Sequence, residues 1–215
     1  MSATVSAANR AHADSVSIRY GLSMRRRLND ELLDRALDQQ GFVTTRDAGE
    51  LEIDPTQLRL MASRGRLEHV DRGLYRFPQL PTTHLAPLME AVLRVGHDAV
   101  VSHESALMAY ELADFNPSRV HLTVPLRFRA TRTYPHWYQV WSADLADRDR
   151  TTLQGLPIVT VERALVEAMA AGSDLYQVRM AIREARGQGS LSTAVARRLT
   201  DRLRRDHGGR ERTPA

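Results

Sequence analysis

Residues 53 to 77 (IDPTQLRLMASRGRLEHVDRGLYRF) contain the capping and turn residues that most restrict how this chain folds. Asp54 and Pro55 stand where a helix begins, because an aspartate accepts the free amides of a first turn and a proline there loses no donor. Gly65 ends that helix in the left-handed conformation. Gly73 can take a positive φ between two strand-like runs, RLEHV and LYRF. The stretch therefore predicts one helix followed by a small β-hairpin.

A longer helix precedes this stretch. In LNDELLDRALDQQG, which starts at Leu28, apolar residues recur at helical spacing, and Gly41 ends the pattern. The sequence therefore predicts a first helix that packs one apolar stripe inward. The members of that stripe are Leu28, Leu32, Leu33, Ala36 and Leu37.

A short second helix links the other two. In FVTTRDAGEL either Thr44 or Thr45 can cap it, since threonine oxygens accept first-turn amides. The third helix then runs from Pro55 to about Arg64. Three helices and a hairpin in this order predict a winged helix-turn-helix over residues 24–80.

The rest of the chain alternates between helical and strand patterns. The runs AVVS, VHLTV, HWYQVW and LPIVT read as strands, and LAPLMEAVLRVG reads as an amphipathic helix that ends at Gly96. Ser102 is expected to cap a helix through Leu112, and Thr160 another that ends at Gly172. The predicted fold is therefore mixed α+β, with an α/β second domain over residues 81–187 whose strand order the sequence leaves open.

The two ends of the chain have distinct compositions. Residues 1–23 are small, polar and aperiodic, which predicts a disordered tail. Residues 188–215 are predicted to form a basic C-terminal helix and tail. Residues 179–215 hold ten arginines and four acids, a net charge of +6, which fits either a solvated helix face or an auxiliary phosphate contact.

The third helix has side chains suited to reading DNA. With Leu58, Met61 and Ala62 turned inward, the opposite side carries glutamine, which pairs with adenine edges, and arginine, which pairs with guanine. Leu60 lies on the same side and either touches a thymine methyl group or packs on the first helix. Arginines of the hairpin are placed to hold phosphates or to enter the minor groove. The predicted DNA-binding residues are Thr56, Gln57, Arg59, Ser63, Arg64, Arg66, Arg72 and Arg76.

Charge in the predicted winged helix is polarised. Residues 30–54 hold two arginines and eight acids, a net of −6, whereas residues 55–78 hold five arginines and two acids, a net of +3. The basic half coincides with the predicted recognition helix and wing, which favours docking of that half on DNA. The alternative is a protein-interaction module whose arginines are only solvated.

No catalytic motif is present in the sequence: it lacks GxxxxGK[ST], GxGxxG after a strand, GxSxG and HExxH. His97, His103 and Glu104 form a local cluster that fits capping or packing better than metal binding. Four acids further on could assemble a metal-dependent nuclease site, but their spacing does not require it. We therefore expect no catalytic residues, no metal and no cofactor. Those acids are Asp144, Asp147, Asp149 and Glu162.

Two further features restrict location and contacts. The chain has no cysteine and no apolar run near the roughly 20 residues of a membrane span, so we expect a cytoplasmic protein with no membrane partner. Trp137 and Trp141 stand four apart in a predicted strand and so share one face. That face fits either core packing or contact with a partner.

Several blocks resemble the AbiEi-type antitoxins. GFVTTRDA and LRLMASRGRLEHVDRGLYRFP are similar to their N-terminal winged helix, and VVSHESALMAYEL, NPSRVHLTVP and GLPIVTVERALVEAM to their second domain. The likeness spans about residues 28–172. This chain departs from the family at Leu60, where a basic residue is frequent, and at Glu167, where an aspartate is frequent.

The resemblance implies a function in two parts. The winged helix of such proteins binds inverted repeats in double-stranded promoter DNA of its own operon and represses it. The region from Leu85 to Gly172 would neutralise a co-encoded nucleotidyltransferase toxin, by contact or only functionally, in systems called type IV. A palindromic operator implies two copies of the reader, hence a possible dimer on DNA. The competing hypotheses are a free-standing ligand-responsive regulator and a DNA-processing enzyme.

Overall fold

The computed structural model describes residues 29–130 and 133–208. The chain forms two compact units, Met1–Pro81 and Thr82–Ala215. Both combine helices with a β-sheet, so the mixed α+β fold predicted from the sequence is confirmed. The predicted tail over residues 1–23 lies outside the described residues, as does the end of the C-terminal tail.

The N-terminal unit has the element order of a winged helix-turn-helix. Its three strands form an antiparallel sheet in the order β1-β3-β2. Strand β1 is an addition to the prediction, because three residues are too few to show the alternation by which a strand is recognised. The elements are α1 (29–38), β1 (Phe42–Thr44), α2 (Thr45–Glu50), α3 (Pro55–Ser63), β2 (Glu68–Asp71) and β3 (Leu74–Arg76).

The apolar core of this unit lies between the three helices and the sheet. Leu32 and Ala36 of α1 pack there as predicted, with Leu33 partly buried beside them. The prediction was wrong for Leu37, whose side chain is 56% exposed. Successive residues of a helix are about 100° apart, which turns Leu37 well away from the Leu32–Ala36 direction. Leu28 lies outside the described residues.

A buried carboxylate fixes the start of α2. Thr44 and Asp47 form a capping box: the Thr44 hydroxyl accepts the Asp47 amide at 3.1 Å, and the Thr44 amide donates to the Asp47 carboxylate at 2.7 Å. The Asp47 carboxylate also accepts hydrogen bonds from Arg35 of α1 and from Gln39, which directly follows α1, at 3.0 and 3.1 Å. The cap is therefore Thr44 rather than Thr45, and the same carboxylate ties α2 to α1.

The predicted boundaries of α3 are confirmed to within one residue, and those of the wing strands to within two. The Asp54 side chain accepts the Thr56 amide at 2.8 Å, and Pro55 opens the helix. Arg64 is the C-cap and Gly65 follows with φ +71°. Gly73 turns the hairpin with φ +72°, and a β-bulge interrupts the register between His69 and Asp71.

The second unit contains a mixed five-stranded sheet in the order β6-β5-β4-β8-β7. Helix α4 packs against β4, β5 and β8, while α5 packs against β5 and α6. Strand β7 was not predicted, since RTTL has neither an apolar run nor alternation. The elements are α4 (Ala86–Val95), β4 (Val100–Val101), α5 (His103–Ala109), β5 (Val120–Val124), β6 (Tyr138–Ser142), β7 (Arg150–Leu153), β8 (Leu156–Val159), α6 (Val161–Ala171), α7 (Leu175–Gly187) and α8 (Thr193–Gly208).

Helix α5 differs from its prediction at both ends. It stops at Ala109 instead of Leu112, because Glu111 adopts a φ of +54° that a right-handed helix cannot continue through. At its start Ser102 occupies the cap position without making a side-chain cap bond. The His103 amide donates instead to the buried carboxylate of Glu167 on α6, at 3.2 Å. Thr160, by contrast, caps α6 as predicted.

Candidate nucleic-acid interface

Helix α3 presents two chemically different sides. Leu58 is fully buried, and Met61 and Ala62 are partly buried against the same core, so the predicted inward stripe is confirmed. Five of the predicted DNA-binding residues share the exposed side of this helix or its C-cap. They are Thr56, Gln57, Arg59, Ser63 and Arg64.

Leu60 lies on the exposed side of α3. Its side chain is 41% exposed and is absent from the core cluster, so the alternative of packing on the first helix does not hold. The neighbouring Ser63 hydroxyl donates to the Leu60 carbonyl at 2.9 Å. That bond occupies the serine proton and leaves the oxygen of Ser63 as an acceptor.

The wing contributes two exposed arginines, which lie outside the helix, and one half-buried arginine. Arg66 precedes β2, and Arg72 stands at the hairpin turn; both are exposed. The Thr45 amide donates to the Gly73 carbonyl at 2.9 Å, so the turn that presents Arg72 is anchored at the start of α2. Arg76 differs, since it is half-buried and its guanidinium donates to the Leu80 carbonyl at 2.8 Å.

The acidic half of this unit (residues 30–54) and its basic half (residues 55–78) differ in their ion pairs. On the acidic half, Arg35 pairs with Asp47 and Glu50, and Arg46 also pairs with Glu50. These two guanidinium groups, Arg46 first, lower the pKa of Glu50. Among the described residues no carboxylate forms an ion pair with the exposed arginines of α3 and the wing, although Arg59 is near enough to Asp54 to contribute, after the bonds from Thr56, to lowering the pKa of that carboxyl. Those arginines are Arg59, Arg64, Arg66 and Arg72.

Three of the four acids considered for a nuclease site have separate partners. Asp144 accepts the Leu126 amide at 3.1 Å, Asp149 lies 3.6 Å from Arg163, and Glu162 lies 2.6 Å from Arg198. Within residues 29–130 and 133–208, no group of three histidine or acidic side chains is arranged to hold a metal ion.

His103 belongs to a buried polar network between α5, α6 and the sheet. Its Nδ1 lies 3.0 Å from the Ser102 hydroxyl, which in turn accepts the Thr123 hydroxyl at 2.8 Å. Arg163 holds the other oxygen of Glu167 at 2.7 Å. Burial, followed by the nearby His121 and Arg163, lowers the pKa of His103 to about 4. The imidazole is therefore neutral at pH 7.

The two tryptophans have different environments. Trp141 stacks on His103 with ring centroids 4.5 Å apart and is half-buried. Trp137, just before β6, is 50% exposed. Of the two possibilities for their shared face, core packing therefore describes Trp141 and leaves Trp137 at the surface.

Sequence comparison assigns the N-terminal unit. Residues 30–78, which include α2, α3 and the wing, match the profile of the family described as "Transcriptional regulator, AbiEi antitoxin". This segment is therefore similar to the regulator domain of the AbiEi antitoxins. The match to the AbiEi family ends before the second unit, and no curated protein matches the chain.

A solved structure also aligns with most of the chain. It is the crystal structure of the RV2827C protein from Mycobacterium tuberculosis, which is 16% identical, with 81% of this chain and 71% of that chain covered and a TM-score of 0.45. That similarity is too low to assign a fold or a function. None of the described helices is long and apolar enough to cross a membrane.

Sequence reasoning missed the buried polar network that ties α2 to α1 in the N-terminal unit. Asp47 is 1% exposed and joins Thr44, Gln39 and Arg35 in one network. The signal was present, because threonine followed three residues later by an acid is the spacing of a capping box. The contribution of Arg35, twelve residues away, depends on the packing of α1 and has no local signal.

Proposed function

We propose that this protein is an antitoxin that represses its own operon by binding promoter inverted repeats through the winged helix, and that it neutralises a co-encoded nucleotidyltransferase toxin. The observation that carries the DNA half is the exposed basic side of α3 and the wing. Four exposed arginines there form no ion pair with a described carboxylate, whereas Arg35 and Arg46 on the acidic half are paired. An unpaired basic surface around an exposed helix suits a phosphate backbone.

The roles of single residues follow from their positions. Gln57 and Arg64 read base edges in the major groove, with Leu60 against a thymine methyl group. Thr56 and Ser63 supply hydroxyl contacts from the same exposed side of α3. Phosphates are held by Arg59, Arg66 and Arg72. Arg76 contributes less, because its guanidinium already bonds the Leu80 carbonyl.

The antitoxin half is assigned to the second unit, within Leu85 to Gly172. It is supported by the resemblance of VVSHESALMAYEL and GLPIVTVERALVEAM to the family's second domain. In this unit Glu167 stands where the family frequently has aspartate, and its carboxylate bonds both Arg163 and the His103 amide. Glu167 thus places a carboxylate from α6 at the first amide of α5, in a position where the family frequently has the shorter aspartate.

DNA binding is tested by a mobility shift on DNA from directly upstream of the gene. The proposal expects a shift that resists an excess of unrelated competitor DNA and weakens with salt, because counterions are released on binding. The matched control is the same DNA with its sequence scrambled. A complex that competitor removes completely would contradict specific autorepression.

Neutralisation is tested by co-expression with the adjacent reading frame, provided that frame has a nucleotidyltransferase signature. The proposal expects this protein to restore growth that the neighbouring gene arrests, and Arg72→Ala to restore it equally well, since that change touches only the DNA half. Absence of such a neighbour, or growth arrest that persists with wild-type protein, would count against the antitoxin half.

A further inference from the structure

The β5–β6 edge of the second unit has an unusual composition. Residues 115–143 contain four arginines and no acid, and they hold both tryptophans of the chain. Residues 82–178 as a whole hold eight arginines and eleven acids, so residues 115–143 are a basic segment within an acidic region. Within it, Arg119, Arg127 and Arg129 are exposed, and none forms an ion pair with a described carboxylate.

Strand β6 is an edge of the five-stranded sheet and pairs only with β5 in the described part of the chain. The Trp137 carbonyl accepts from Val120 and the Ala143 amide donates to Val124, so odd-numbered residues turn their main-chain groups toward β5. Alternation along a strand then turns those of Val140 and Ser142 outward. Unpaired main-chain groups at an edge are a template for another strand.

Exposed apolar side chains stand at both ends of this edge. Trp137 is 50% exposed at the start of β6, and Leu126 is 60% exposed near its end, where its amide bonds Asp144. Arg119 flanks Trp137 through a 3.0 Å bond to Gln139, and Arg127 adjoins Leu126. Tryptophan and arginine are the residue types enriched at the centres of protein interfaces. We call the outer edge of β6, with these residues and Arg129, the β6 edge surface.

We propose that the β6 edge surface binds a partner protein by strand addition, and that the segment it accepts is extended and acidic. Main-chain pairing with Val140 and Ser142 supplies the register, and the arginines at either end select carboxylate side chains. The outward main-chain groups of β6, together with the exposed Leu126 and Trp137, favour a polypeptide as the ligand. A nucleic acid does not pair with a strand edge and so would not use these main-chain groups.

Charge argues against two other ligands for this surface, a second copy of the chain and the chain's own N-terminal segment. A second copy would bring the same unpaired arginines against themselves, and like charges facing one another are destabilising. The chain's own N-terminal segment does not fit either, since residues 1–28 hold five arginines and one acid. An acidic segment from a separate protein is complementary where these two are not.

This proposal deepens the antitoxin half of the proposed function by naming a partner surface. Its test uses neither toxin nor DNA, so the strand-addition proposal and the proposed function can each fail without the other. The probe is an eight-residue peptide that alternates glutamate with valine, titrated into the 15N-labelled full chain. We expect amide shifts concentrated at Val140, Ser142 and the Trp137 indole, and no such shifts with lysine in place of glutamate.

Variants locate the contact. Arg127→Glu with Arg129→Glu should weaken peptide binding by about tenfold or more, because both charges that select the acid are inverted. Val140→Pro removes an outward amide without removing a bond to β5, and should also abolish the shifts. The control is Tyr176→Ala with Arg179→Glu, an exposed aromatic and an exposed arginine on α7, which should leave affinity unchanged.

Three outcomes would overturn the proposal. In the first, glutamate and lysine peptides shift the same amides equally or neither shifts any. In the second, the shifts map outside residues 119–129 and 137–142. In the third, β6 resonances broaden with protein concentration alone, which would mean that two copies pair at this edge.

Discussion

Arg72 and Arg76 show how two similar residues of one hairpin acquire different roles. Arg72 is exposed at the turn, while the Arg76 guanidinium reaches back to the Leu80 carbonyl. Helical periodicity was enough to predict which residues of α3 face outward. No local pattern could predict the bond of Arg76, because it depends on where the chain returns after β3.

The first prediction separates base reading from phosphate binding. Arg72→Ala should weaken binding about equally on operator and random DNA, because phosphates are the same in both. Gln57→Ala should reduce the preference for operator DNA by roughly 1 to 3 kcal/mol. Paired titrations on the two DNAs measure both effects.

Matched controls use residues of the same type outside the proposed face. Arg46→Ala removes an exposed arginine that is already paired with Glu50, and Gln79→Ala removes an exposed glutamine beyond β3. Neither should change affinity or preference. If Gln57→Ala acted uniformly and Arg72→Ala acted on preference, the docking orientation would be reversed.

A second residue-scale prediction concerns Leu60. Because its side chain is exposed, Leu60→Ala should leave the thermal midpoint nearly unchanged, whereas Leu58→Ala should destabilise the unit by about 2 to 5 kcal/mol. Leu60→Arg should raise affinity for all DNA by adding a phosphate contact. Thermal melts and titrations on random DNA check both; a large loss of stability in Leu60→Ala would contradict the outward placement.

At the scale of elements, the turn residues were predictable and the short strands were not. Asp54, Pro55, Gly65 and Gly73 act locally, and each takes the position that its chemistry predicted. Strand β1 is held by pairing with β3, far along the chain, and β7 by pairing with the adjacent strand β8, and in neither case do three or four residues carry a recognisable strand pattern. Ser102 was expected to cap α5, but a carboxylate 65 positions further along the chain accepts the first amide instead.

The wing itself gives the third prediction. Gly73 has φ +72°, and a Cβ there would lie 2.8 Å from the Thr45 hydroxyl oxygen, so Gly73→Ala should destabilise the N-terminal unit and weaken DNA binding. Adding Thr45→Ala should recover the part due to the contact, leaving about 1 to 2 kcal/mol for the backbone. Denaturant melts of the single and double variants measure this.

Gly49 offers the matched control for that experiment. It lies within α2, and a Cβ there would meet nothing within 4 Å. Gly49→Ala should stabilise the unit by roughly 0.5 to 1 kcal/mol, because alanine is the better helix former. Equal losses at positions 49 and 73 would mean that the turn conformation is not what limits the wing.

At the scale of the whole molecule, the division of the basic and acidic halves was visible in the sequence, since it needs only residue counts. The order of the five strands was not, because it depends on crossovers that no local pattern encodes. The same applies to the polar network of the second unit, where His103 meets His121 of β5, Trp141 of β6, and Arg163 and Glu167 of α6.

That network makes the second unit sensitive to acid. The pKa of His103 is lowered from 6.5 to about 4 in the folded chain, so the unfolded chain binds a proton more readily. The contribution of His103 to the free energy of unfolding of the second unit should therefore be constant above pH 6.5 and decrease as the pH falls from 6.5 to 4. Both tryptophans lie in this unit, so thermal melts followed by tryptophan fluorescence report on it alone.

Variants identify the source of the acid sensitivity. His103→Gln should flatten the slope between pH 6.5 and 4, leaving the smaller part due to His121, whose pKa burial also lowers. His69→Gln changes a histidine of the N-terminal unit, which contains no tryptophan, and should leave the slope as in the wild type. An unchanged slope in His103→Gln would place the titrating group elsewhere.

Footprinting on the region upstream of the gene measures whether the basic side of α3 and the wing docks on operator DNA. We expect protection of inverted repeats by the wild type, loss of the pattern in Gln57→Ala at the same occupancy, and overall loss in Arg72→Ala. Protection that is uniform along the DNA, or a pattern that both variants preserve, would contradict this docking.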